Sequence, residues 1–139
     1  MVTVVGGPNA RTDFHIDESE EFFYQLEGDM ILRIVEDGKP RDVPIREGEI
    51  LLLPSKVPHS PQRPAGTIGL VIEHKRLPDQ LDGLVWFCPR CGKKLYEEFF
   101  HLTNLVTQLA PVFERFYGDP ARCTCTACGT VVTRPQPAA

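Results

Sequence analysis

The chain has no apolar run approaching the ~20 residues a membrane span needs, which excludes a transmembrane helix. It has no excess of positive charge either. Fifteen Lys and Arg stand against nineteen Asp and Glu, for a net charge of −4, so no basic stripe is available for nucleic acid. The opening MVTVVGGPNA lacks a basic region followed by an apolar one, so no secretory signal is expected, and the cytoplasm is the expected compartment. No internal repeat or low-complexity tract appears, which excludes a solenoid. What is plentiful is turn chemistry. Thirteen prolines and eleven glycines lie mostly between short apolar runs, the texture of an all-β domain.

Those runs predict strands at 2–5, 11–15, 21–26, 30–35, 50–53 and 67–73. Asp37-Gly38 marks a hairpin, and Gly6-Gly7-Pro8-Asn9 marks a turn. Close, regular spacing of short strands suggests a jelly roll or barrel. Residues 76–87, containing LPDQLDG, read as a linker between a barrel at 1–75 and a small segment at 88–133. Residues 134–139 read as a frayed tail. Within the second segment, Thr103-Asn104 suits a helix cap ahead of Leu105 and Leu109. Pro111 predicts the start of a second short helix that carries Val112, Phe113, Phe116 and Tyr117 and stops at Gly118.

The chemistry-bearing residues of the first half are His15, Glu21 and His59, with Arg63 just beyond. Residues an even number apart on a strand share a face, so Asp13, His15 and Asp17 align, as do Glu21, Phe23 and Gln25. A turn at 17–20 can fold Glu21 back toward His15, while only a wrapped β fold can bring His59 to them. Two imidazoles and a carboxylate without a thiolate form the facial set that suits a divalent iron with open positions. Singly, each has a blander reading. A lone histidine is more often structural than a ligand, and lone arginines are mostly surface residues. Asp13 and Asp17 suit either partners that orient His15 or plain turn residues. Phe23 suits either pocket or core. His74 and His101 read as ordinary surface histidines.

The spacing carries a resemblance. His15-x-Asp17-x3-Glu21-x6-Gly28 resembles the first cupin motif and Gly48-x5-Pro54-x4-His59 the second. Asp17 stands where a second histidine is usual, Lys56 where glycine is usual, and Arg63 where asparagine is usual. The stretches 2–25, 51–64 and 70–73 further resemble the 3-hydroxyanthranilate 3,4-dioxygenase family, bacterial type with a C-terminal four-cysteine metal site. The resemblance implies a mainly β fold: a cupin double-stranded β-helix (jelly roll) with a small metal-knuckle segment containing short helices. It implies Fe(II) on His15, Glu21 and His59. It also implies a substrate carboxylate gripped by Arg11 and Arg63, and the substrate amine and hydroxyl bonded by Glu73, with these three as the catalytic and substrate-binding set. The implied reaction joins 3-hydroxyanthranilate and O2 into 2-amino-3-carboxymuconate semialdehyde, on a route of tryptophan breakdown or of quinolinate and NAD formation. The alternatives are the same fold acting on another aminophenol or catechol acid, or a non-catalytic metal-binding cupin that binds a partner. The resemblance further implies a homodimer. It also implies some tens of residues before the position of Met1, whose absence would leave a sheet edge open.

The five cysteines are clustered rather than spread. Cys88-Pro-Arg-Cys91-Gly92 and Cys125-Thr-Ala-Cys128-Gly129 are twin knuckles, each setting two thiols on one tight turn. Four thiolates make a closed tetrahedral site for zinc, or for iron as in rubredoxin, and leave no position for a substrate. The segment therefore reads as rubredoxin-like or zinc-ribbon-like, packed on the barrel, with a staple as its role. Cys123 could replace Cys125, but the knuckle pattern favours Cys125.

Overall fold

The computed structural model describes residues 1–136, so positions 137–139 of the tail lie outside the described residues. Ten strands are divided between two antiparallel sheets. They are β1 (Val2–Gly6), β2 (Asp13–Ile16), β3 (Glu21–Glu27), β4 (Met30–Glu36), β5 (Lys39–Ile45), β6 (Ile50–Leu53), β7 (His59–Gln62), β8 (Ile68–Glu73), β9 (Asp82–Phe87) and β10 (Lys94–Phe100). The small sheet has the order β1-β8-β3-β6, and the large one β10-β9-β2-β7-β4-β5. The first eight strands thus follow the jelly-roll order, 1-8-3-6 facing 2-7-4-5. Two helices follow, α1 (Leu105–Tyr117) and α2 (Pro120–Cys123).

Alternation along the strands decides what lies between the sheets. Phe23, Met30, Leu32, Ile34, Ile45 and Leu53 fill one end of the barrel. A second core joins β9 to the C-terminal part, where Leu84 and Trp86 pack on Val112, Phe116, Cys123 and Val132. Trp86 stacks on Phe116 with ring centroids 4.3 Å apart. Truncating an aromatic side chain buried this completely costs about 3–5 kcal/mol.

Three sequence expectations differ from the structure. The stretch 76–87 is not a simple linker, because its second half is β9, paired to β2 on one side and β10 on the other. Its run Leu84-Val85-Trp86 is buried on both faces, so it shows no alternation to set it apart from its surroundings. Strand β10, expected in the second segment, likewise extends the barrel sheet by pairing with β9, so the sheet runs on across 87/88. Third, α1 is one helix with Pro111 inside it. The proline forfeits one bond to the carbonyl of Thr107, while Leu109 before it and Val112 and Phe116 after it pack on the same core and hold both halves in line. Besides β9 and β10, two further strands went unread. Strand β7 has the polar sequence HSPQ, and β5 carries two prolines, tolerated because it is an edge strand.

Candidate metal centre

The site lies between the sheets and is set by two pairings. On the large sheet His15 of β2 stands directly opposite His59 of β7. On the small sheet Glu21 of β3 stands opposite Glu73 of β8. The crossing from β2 to β3 is made by Asp17, whose Oδ1 accepts hydrogen bonds from the Ser19 backbone N–H (2.9 Å) and hydroxyl (3.0 Å). This turn brings Glu21 back over His15.

Glu21 Oε1 lies 3.3 Å from His15 Nδ1 and 3.1 Å from His59 Nε2. It is buried and, among the described residues, has no hydrogen-bond partner. The other nitrogen of each ring is already committed. His59 Nδ1 donates to the Val57 carbonyl (3.0 Å), and His15 Nε2 donates to Asp82 Oδ1 (2.8 Å). Two imidazole lone pairs and an orphaned carboxylate oxygen therefore converge on one point. Three acceptors facing each other in a buried space call for a cation, and the donor set fits a divalent metal with positions left open.

Without a metal a proton takes the cation's place. Burial pulls His15 down, but the carboxylates of Asp82 and Glu21 beside it outweigh this and carry its pKa up to about 9. Burial opposes the charge on Glu21, yet the two histidines hold it well below the usual carboxylate range. Glu73 moves upward, first through burial and then through the charge of Glu21.

Arg11, Arg63, Glu73 and the three donors line one cavity of about 270 Å³. Arg11 is forked onto Asp13, with Nε 3.1 Å from Oδ2 and Nη2 also in contact. Arg63 is 5% exposed, and its recorded hydrogen bond runs from Nη1 to the neutral amide of Gln25 (3.0 Å). Burial lowers its pKa, and among the described residues no acidic group opposes the shift. Gly69 makes room for this arrangement, since a Cβ there would sit 2.5 Å from Arg63 Nη1. Apolar walls come from Phe23 and Val71 of the barrel and from Phe100, Leu105 and Leu109 beyond it.

A model of the 3-hydroxyanthranilic acid dioxygenase family matches residues 1–117, which include every residue of the pocket. The chain belongs to that family. Similar relatives within the 3-hydroxyanthranilic acid dioxygenase family are named 3-hydroxyanthranilate 3,4-dioxygenase. The one from Xanthomonas campestris pv. campestris (strain 8004) is 59% identical over 98% of this chain and 77% of its own length. That from Ruegeria pomeroyi is 53% identical over 99% of this chain and 77% of its own length. That from Mus musculus is 59% identical over 84% of this chain and 41% of its own length. The family model ends at Tyr117, before the second knuckle.

A second group of donors lies outside the barrel. Cys88 Sγ is 3.5 Å from Cys128 Sγ, and Cys91 Sγ is 3.5 Å from Cys125 Sγ. A tetrahedral ion with metal–sulfur bonds of ~2.3 Å would set sulfurs ~3.8 Å apart, so the four fit such an ion with little movement. Both knuckles have one backbone plan. Gly92 donates to the Cys88 carbonyl (2.9 Å) and Gly129 to that of Cys125 (2.8 Å), and both glycines are left-handed, at φ 74° and 73°. The Thr130 hydroxyl and backbone N–H lower the Cys128 thiol to about 6, on its way to thiolate. Cys123 stays apart and donates to the Phe116 carbonyl (3.0 Å).

Two residues of the barrel site have no counterpart among the sequence expectations. Asp82, not Asp13 or Asp17, is the partner of His15, and Arg76 grips Asp82 through Nε (2.7 Å) and Nη2 (2.6 Å). The signal was an aspartate opening the apolar run LVWF, hidden by the linker reading of 76–87.

Proposed function

We propose that this chain opens the ring of 3-hydroxyanthranilate with dioxygen, breaking the C3–C4 bond and placing both oxygen atoms in 2-amino-3-carboxymuconate semialdehyde. The observation that carries the reading is Arg63: a buried guanidinium with no carboxylate partner among the described residues, lining the same cavity as the three donors. A fixed cation in a dry pocket is a receptor for an anion, and its forked donors match a planar carboxylate.

His15, Glu21 and His59 would hold Fe(II), which when bound supplies open positions for the substrate and O2 and one-electron steps between them. Arg63 takes the substrate carboxylate and so fixes the ring in the cavity. Arg11, held in place by Asp13, lines the same cavity and is the second guanidinium offered to that carboxylate. Glu73, opposite Glu21 and raised by burial, is placed to take the hydroxyl proton and to bond the amine. Phe23, Val71 and Leu109 exclude water from the ring. A second metal, zinc or iron, is assigned to the four cysteines as a staple.

The five free cysteines support work in a reducing cytoplasm, and among the described residues no helix is long and apolar enough to cross a membrane. Exposed Val2, Val4, Ile50 and Leu52 on the outer face of the small sheet support the homodimer. The deciding experiment loads the protein anaerobically with Fe(II), then adds O2 and 3-hydroxyanthranilate. Semialdehyde absorbance is expected to rise in the wild type and vanish in His15→Ala. No turnover in the Fe(II)-loaded wild type, or equal turnover of a catechol acid lacking the amine, overturns the reading.

A further inference from the structure

We infer that Asp82 and Arg76 are positioning residues of the metal centre: Asp82 fixes which nitrogen of His15 faces the metal, and Arg76 locks Asp82 to the two carboxylates beside it. The inference rests on the three-donor metal site of the proposed function and adds to it Arg76, from the segment between β8 and β9, and Asp82, the first residue of β9.

The geometry is specific. Asp82 is 1% exposed and accepts from His15 Nε2 at 2.8 Å, which leaves the Nδ1 lone pair as the only one that can point at Glu21. An imidazole free to choose its tautomer would spend part of its time with a proton where the metal must bind. Arg76 holds both oxygens of Asp82 in a fork, at 2.7 and 2.6 Å, so the carboxylate cannot rotate away from His15. The same Nη2 lies 3.4 Å from Asp17 Oδ2 and 3.4 Å from Glu73 Oε1. One guanidinium thus ties together the orienter of a ligand, the residue that turns the chain toward Glu21, and the pocket carboxylate opposite Glu21. It also supplies the positive charge that lets Asp17, Glu73 and Asp82 share a buried corner. Without Arg76 those three carboxylates would repel, and Asp82 would be free to leave the ring.

The test measures Co(II) binding to the protein by visible absorbance, with one equivalent of Zn(II) already on the cysteines. Asp82→Asn keeps the shape but can turn an amide N–H toward His15. It is expected to weaken Co(II) binding roughly 10–100-fold. Arg76→Lys keeps the charge without the fork and is expected to weaken it several-fold, in proportion to the freedom Asp82 gains. Long-range proton–nitrogen spectra of the Zn(II)-saturated wild type should show the His15 proton on Nε2, and in Asp82→Asn a mixture of tautomers. Unchanged Co(II) affinity in Asp82→Asn, with His15→Ala losing it, overturns the inference alone. Unchanged affinity in His15→Ala overturns the metal-site reading beneath it. Should Asp82→Asn fail to fold, Arg76→Lys decides: wild-type affinity there overturns the inference.

Discussion

The two candidate metal sites of this chain are built on opposite plans. The barrel site takes its donors from three strands on two sheets, mixes nitrogen with oxygen, and opens into a cavity. The cysteine site takes four sulfurs from two tight turns and closes on itself. The first depends on long-range registry, because His15 and His59 meet only if the whole jelly roll is formed. The second depends on local turn geometry repeated twice. A site for reaction needs vacancies and a shaped surround, which only a folded barrel supplies. A site for holding needs complete coordination, which two knuckles supply cheaply.

The sharpest way to break the comparison is Glu21→Ala. It should abolish turnover and reduce bound metal by one equivalent, leaving the cysteine metal in place. Mass-spectrometric metal counting checks this, and loss of both metals would show the sites to be one cooperative unit. Next in size is Arg63→Ala, which removes one charged hydrogen-bonding partner worth about 1.5–3 kcal/mol. KM should rise on the order of 10- to 100-fold with metal content unchanged, and Gly69→Ala, by crowding the same guanidinium, should raise it less.

Cys128→Ser should release the second metal and lower the melting temperature. Because Leu105 and Leu109 of α1 line the cavity, it should also raise KM a few-fold while sparing the barrel metal. An unchanged KM would show that α1 is held by Trp86 and Phe116 alone.

The smallest effect is a pH dependence confined to the metal-free protein. His15 is raised from 6.5 to about 9 in the fold, so its contribution is complete below about 6.5 and is lost as pH rises toward 9. Glu21 and Asp82 are depressed, so their contributions hold above the ordinary carboxylate range and are lost as pH falls through it. Melting temperature should therefore fall at both ends without metal, and the alkaline fall should disappear once metal occupies the site.

The parts of this molecule that were legible in sequence are those encoded by short spacing. Asp17 and Glu21 lie within one turn, the knuckles within four residues each, and the apolar runs announce most strands. His59 was legible only through its motif, since nothing local says that HSPQ is a strand. Asp82 and Arg76 were not legible at all. Their meaning lies in a partner 67 residues away in sequence for Asp82 and in a carboxylate cluster drawn from three elements for Arg76. A buried ion-pair network and a linker have the same composition; only burial separates them. Pro111 misled for a related reason: local propensity argued for a break, and packing on Trp86 outweighed it.

The pairing of His15 with His59 and of Glu21 with Glu73 has a consequence for how such a chain can change. Strand register moves in whole residues, and a slip of one turns every side chain to the other face. An inserted or deleted residue within β2, β3, β7 or β8 would thus not blur the site but switch it off. The Asp37-Gly38 tip between β4 and β5, where a Cβ on Gly38 meets nothing, can lengthen freely. Tolerance to changes in length should therefore be all-or-none along this chain, and it should follow the distance from one oxygen atom of Glu21.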